Sequence, residues 1–77
     1  MVEAELVVDA KGLRCPLPII KAKKGVESVA VGQVVEVQCT DPGSVADFRA
    51  WSQSTGHELI DQREEDGVYT FWLRRHH

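Results

Sequence analysis

The stretch "ELVVDAKGLRCPLPIIKAKKGVESVAVGQVVEVQCT", residues 5–40, reads as strand, helix, strand. Its opening "ELVVDA" is a short apolar run of the kind that forms a strand. From Pro16 to about Val29 the apolar positions Ile19, Ala22, Val26 and Val29 recur at three- and four-residue spacing. That period predicts a helix with one buried face and with Lys21, Lys24 and Ser28 outward. Gly32 breaks the pattern, and "QVVEVQCT" then alternates. Val35, Val37 and Cys39 fall on one side, with Val34, Glu36, Gln38 and Thr40 on the other.

The remainder completes the layer. "DPGSVADFRAWSQSTG", residues 41–56, reads as a second helix capped by Asp41 or Ser44, with Ser44 and Asp47 in a capping-box pattern and Gly56 as its stop. "HELIDQRE" and "VYTFWLRR" are strands joined through Asp66-Gly67, a strong hairpin signal. The order is βαβαββ. Two helices cover only one face of four strands, so the expected fold is an α/β (α+β) two-layer sandwich with a mixed sheet. Residues 1–77 form a single domain, since a chain of this length holds one core.

Charge and composition narrow the function. A net charge of −3 argues against strong direct nucleic-acid binding. No apolar run reaches the roughly 18 residues of a membrane helix, and "MVEAELVVDA" lacks the basic start of a signal peptide, so a cytoplasmic location is expected. The charge is unevenly spread. Lys11, Arg14, Lys21, Lys23 and Lys24 share a stretch with no acidic residue, centred near Cys15.

Cys15 is the unusual residue. Cys15-Pro16 matches Asp41-Pro42 as a helix start with proline in the first turn, yet cysteine is a poor cap. What cysteine adds there is nucleophilicity. A thiolate at a helix N-terminus, with Arg14 and Lys11 nearby, is expected to have a depressed pKa. Pro18 falls in the same first turn, where proline is tolerated. The competing reading is a small apolar residue buried beneath the first strand, against which the cap position, the basic surroundings and the flanking prolines weigh. Cys15 has no C-x-x-C partner, and Cys15, Cys39 and His57 lack zinc-ligand spacing, so neither dithiol redox chemistry nor a metal is expected. A lone activated cysteine without a neighbouring base suits a group carrier, because thiolates take up and pass on sulfur by the logic of thiol–disulfide exchange.

"DAKGLRCPLPIIKAKK" resembles the signature of the TusA/SirA-type sulfur carriers, in which C-P-x-P follows a short strand and opens the first helix. Asp9, Gly12, Leu13, Cys15, Pro16 and Pro18 match that motif, Asp41-Pro42 matches the start of the second helix, and "TDPGSVADF" is similar to members associated with sulfur oxidation. The resemblance implies a fold similar to the C-terminal domain of translation initiation factor 3, and a Cys15 persulfide supplied by a cysteine desulfurase or rhodanese. It also implies a TusBCD- or DsrEFH-like acceptor serving tRNA thiolation, molybdenum-cofactor assembly or sulfur oxidation. Arg14, Asp9 and Gly12 would support Cys15, and Lys11, Lys21 and Lys24 are candidates for partner docking on a chain that is monomeric when free. No cofactor is called for.

Other residues read more plainly. Cys39 belongs with Val35 and Val37 against the helices, although a strand-end thiol could also resolve Cys15. Trp51 reads as core. Trp72 alternates away from Tyr69, Phe71 and Leu73 onto the open sheet face, where an exposed aromatic would suit a partner. His57 reads as a loop residue, and His76 and His77 as disordered or left from a purification tag. The alternative functional class is a redox-regulatory or protein-interaction module.

Overall fold

The computed structural model describes residues 3–77. It contains β1 (Leu6–Ala10), α1 (Leu17–Ser28), β2 (Val34–Cys39), α2 (Ser44–Thr55), β3 (Glu58–Glu65) and β4 (Val68–Arg74). The sheet runs β1-β2-β4-β3. β1 lies parallel to β2 from Leu6 opposite Val35 to Ala10 opposite Cys39. β4 is antiparallel to both β2 and β3, which makes β3 parallel to β2. The chain thus makes two parallel crossovers in the same direction, β1 to β2 and β2 past β4 to β3. Because such crossovers are almost always right-handed, both helices land on one face. The two-layer sandwich follows from connectivity.

The core lies between the layers. Ala22 and Val26 of α1 and Phe48 of α2 meet Val35, Val37 and Cys39 of β2 and Phe71 and Leu73 of β4, all buried. Phe48 stacks on Phe71 with ring centroids 4.5 Å apart. α1 buries Pro18, Ala22, Gly25 and Val26, leaving Lys21, Lys24 and Ser28 exposed as the period predicts. Gly25 permits a close approach to the sheet, since a Cβ there would stand 2.8 Å from Val8 Cγ2. Asp66 and Gly67, at φ 52° and 78°, form the hairpin turn. The Gly56 N–H closes α2 on the Ser52 carbonyl at 2.9 Å.

Several expectations are corrected here. Neither Asp41 nor Ser44 is the N-cap of α2. Gly43 holds that position, Ser44 is the first helical residue, and its hydroxyl donates back to the Asp41 carbonyl at 2.6 Å. No Ser44–Asp47 capping box forms, because the Ser44 hydroxyl is already committed behind the helix. Trp72 does point to the open sheet face, but it is only 6% exposed. Its indole N–H donates to Glu36 Oε1 at 3.1 Å, and the Arg63 guanidinium lies 5.3 Å from its ring. Trp72 is consequently not a bare aromatic patch. His76 and His77 are placed against the fold rather than disordered. The His76 N–H donates to His57 Nδ1 at 3.0 Å, and the His57 and His77 rings stack at 4.6 Å. His57 is buried beside Trp51, and burial, with the charges of His77 and Arg75 next, pushes its pKa down. Trp51 is half-buried, edge-on to Phe48.

Candidate functional site around Cys15

Two loops leave the carboxyl ends of the parallel strands β1 and β2 side by side, the usual place for a site in an open α/β sheet. The first starts with a turn from Ala10 to Leu13, closed by Leu13 N–H to the Ala10 carbonyl at 3.2 Å. Gly12 sits in it at φ 81°, a conformation costly for residues with a Cβ. Asp9 Oδ1 accepts the Lys11 N–H at 3.0 Å, which fixes the strand's exit. The next turn runs from Arg14 to Leu17, closed by Leu17 N–H to the Arg14 carbonyl at 2.9 Å, with Cys15 and a cis Pro16 at its centre.

That turn changes the expected role of Cys15. The helix begins at Leu17 with Pro16 in the N-cap position and no side-chain cap. Cys15 lies one residue outside, and its side chain makes no capping hydrogen bond to α1. It is exposed, at the tip of the loop. Pro18 is buried in the first turn and anchors the helix start against the core.

The electrostatics also differ from the expectation of a depressed pKa. Asp47 on the first turn of α2, as an acceptor for the thiol, together with desolvation and the charges of Asp47 and Asp41, pushes the Cys15 pKa above its usual value. The charges that move the Cys15 thiol are those of Asp47 and Asp41, not those of the basic residues prominent in the sequence. Lys21 Nζ donates to the Asp9 carbonyl at 3.1 Å. Lys11 lines a hollow on the open sheet face with Gln38, Arg63 and Glu65. Arg14 acts on Asp41, helping to hold that carboxyl low. Lys21 and Lys24 remain exposed on α1, beside Leu17 and Ile20, apolar side chains 48% and 45% exposed. The docking candidates therefore divide, with Lys21 and Lys24 on the helix and Lys11 across the sheet.

The second loop holds the first. Thr40 Oγ1 accepts the Gly12 N–H at 2.9 Å. Asp41 is bidentate: Oδ1 accepts the Gly43 N–H at 3.0 Å and Oδ2 the Cys15 N–H at 3.1 Å. Those two backbone bonds are the main reasons its pKa lies below the ordinary carboxylate value. A shallow cleft between the loops is lined by Gly12, Leu13, Arg14, Thr40, Asp41 and Pro42. Thr40 and Asp47 are site residues that pattern reading missed. Asp47 reads as part of a capping box, and Thr40 reads only as the end of an alternating strand at the head of "TDPGSVADF".

Cys39 is fully buried among the core residues, and burial pushes its thiol pKa up to about 11. Both cysteines are free thiols. Among the described residues, no cluster of His, Cys, Asp and Glu could hold a metal, and no helix is long and apolar enough to cross a membrane.

Comparison with known proteins identifies the family. The family model described as sulfurtransferase TusA matches residues 6–75. The sulfur carrier protein TusA of Allochromatium vinosum is 45% identical over 75 residues, covering 97% of this chain and 99% of its own. The putative sulfur carrier protein YrkF of Bacillus subtilis is also 45% identical over 75 residues, but this chain spans only 40% of its length. In three dimensions, the SirA-like protein of Desulfitobacterium hafniense superposes with a TM-score of 0.80 at 28% identity, covering 94% of this chain and 99% of that one. The chain belongs to the TusA family of sulfurtransferases, which carry sulfur.

Proposed function

We propose that the protein accepts a sulfur atom on Cys15 as a persulfide and delivers it to a thiol of a protein acceptor. The observation that carries this reading is the exposed Cys15 thiol at the tip of a loop anchored from below, beside the apolar and basic surface of Leu17, Ile20, Lys21 and Lys24. The other thiol is buried and out of reach.

The transfer needs no oxidant. The Cys15 thiolate attacks the outer sulfur of a donor persulfide, R–S–SH. The S–S bond of the donor breaks, an S–S bond forms on Cys15, and the donor leaves as R–S⁻, ready to take up the proton that Cys15 released. Delivery repeats the exchange with an acceptor thiolate. The protein is then a stoichiometric relay rather than a catalyst with bound substrate. Asp47 and Asp41 push the Cys15 pKa up, so a donor that brings a cation beside Asp47 raises the thiolate fraction where transfer takes place.

Suitable donors are a cysteine desulfurase or a rhodanese, and a suitable acceptor is a DsrEFH- or TusBCD-like protein in the cytoplasm. The same exchange serves tRNA thiolation, molybdenum-cofactor assembly and sulfur oxidation, which genome neighbourhood distinguishes. Incubation with rhodanese and thiosulfate, or with desulfurase and cysteine, should add one sulfur atom that a reductant removes. Failure to gain sulfur from either system would overturn the proposal and favour a redox-regulatory module.

A further inference from the structure

Asp41 occupies an unusual place. One carboxylate spans two loops, with Oδ1 on Gly43 at the start of α2 and Oδ2 on the backbone of the exposed cysteine. The loop that carries Cys15 has a second tie of the same kind, from Gly12 to the Thr40 hydroxyl. Both ties run from backbone N–H groups to adjacent side chains on the neighbouring loop. Apart from its own turns, the segment from Lys11 to Pro16 is thus registered by Thr40 and Asp41.

We infer that Asp41 is the positioning residue for sulfur transfer at Cys15, with Thr40 as its auxiliary. This rests on the proposed persulfide chemistry. Cys15 has no buried side-chain packing to orient it, since it is exposed. Its backbone sets where the sulfur stands, and Asp41 holds that backbone at the residue itself. In-line attack on a sulfane sulfur demands a defined approach, and a misplaced nucleophile loses rate even when its chemistry is intact. The hydrogen bond that Asp41 makes is to the peptide N–H of Cys15, not to its sulfur.

The isosteric variant Asp41→Asn separates this role from a structural one. An asparagine keeps its carbonyl oxygen on the Gly43 N–H, as asparagine readily does in such turns. Its amide then faces the Cys15 N–H, a donor against a donor. The start of α2 survives and the tie to Cys15 is lost. Thr40→Val, which removes no charge, loosens the same loop from its other end.

The experiment measures three quantities in wild type and both variants: loading from glutathione persulfide by mass spectrometry, amide exchange at Cys15 by NMR, and the pH profile of Cys15 alkylation. For Asp41→Asn, loading should fall about tenfold, as loss of one positioning hydrogen bond implies. Cys15 amide exchange should rise about tenfold, and the alkylation profile should move to lower pH, both because the Asp41 charge is gone and because the loosened loop frees the thiol from Asp47. Thr40→Val should shift the profile in the same direction with a smaller loss of loading, which charge removal cannot explain. Wild-type loading in Asp41→Asn despite faster exchange would overturn the inference. So would a wild-type profile in Thr40→Val, including the case in which Asp41→Asn does not fold. Failure of wild type itself to load refutes the persulfide reading instead, and unchanged Cys15 exchange in Asp41→Asn refutes the positioning role independently.

Discussion

Gly12→Ala isolates the conformational cost of presenting the cysteine loop. A Cβ built on Gly12 meets nothing within 4 Å, so the substitution introduces no clash. The backbone is at φ 81°, where a side chain crowds its own carbonyl. The cost is therefore conformational only, about 1–2 kcal/mol. A chain of this size has a total stability of about 4–12 kcal/mol, so the variant should fold. Its melting temperature should drop by roughly 4–8 °C for each kcal/mol lost. Gly12→Asn should recover part of that, because asparagine tolerates the left-handed region. Urea denaturation of the three proteins measures the differences, with equal m-values showing that the unfolded states match. Wild-type stability in Gly12→Ala would refute the reasoning, since it would mean that residue 12 does not hold this conformation.

Gly25→Ala should lower stability by about 1 kcal/mol. Overpacking against Val8, at a cost of about 1–3 kcal/mol, outweighs the roughly 1 kcal/mol gained in helix propensity, and a stabilised variant in thermal melts would contradict the tight packing of α1. Iodoacetamide should label native Cys15 and spare Cys39, with a pH midpoint above that of an ordinary thiol and moved down by Asp47→Asn; a midpoint already depressed in wild type would remove Asp47 from the site. The burial of His57 lowers its folded pKa below the unfolded 6.5, so its contribution is present above about pH 6.5 and is lost as pH falls through the folded value. Stability of wild type should fall over that acid range, and His57→Phe should flatten the curve; identical pH slopes would show that His57 titrates alike in both states. Reversing Lys21 and Lys24 to glutamate should slow delivery to a protein acceptor and change its salt dependence while loading from a small persulfide persists, and unchanged kinetics would place docking elsewhere.

The layer architecture was legible because it rests on periods. The alternation of Val35, Val37 and Cys39 and the three- and four-residue spacing of Ala22 and Val26 both report burial, and the structure buries all five. Asp66-Gly67 and Gly56 were legible because positive φ selects few residues. The site was legible in identity and not in electrostatics. Lys11, Arg14 and Lys21 lie close to Cys15 along the chain, but through space the nearest charges come from Asp41 and Asp47, more than twenty-five residues away in sequence. Parallel pairing of β1 with β2 brings those loops together, and no local pattern encodes that meeting. Trp72 shows the same limit. Alternation placed it on the open face, but not its cover of Arg63 and Glu36, which depends on cross-strand register and on the irregularity of β3 between Leu59 and Asp61.

The most direct test of the sulfur-carrier account is peptide mapping of the protein after exposure to a persulfide donor, in wild type, Cys15→Ser and Cys39→Ser. The account places a single reductant-labile sulfur on the peptide containing Cys15. Cys15→Ser should fold normally, since the exposed side chain supports no packing, and should take up no sulfur. Cys39→Ser should load at the wild-type site with reduced stability, because it buries a hydroxyl in the core. Sulfur on Cys15→Ser, or equal dependence on Cys39, would contradict a relay built on the one exposed thiol.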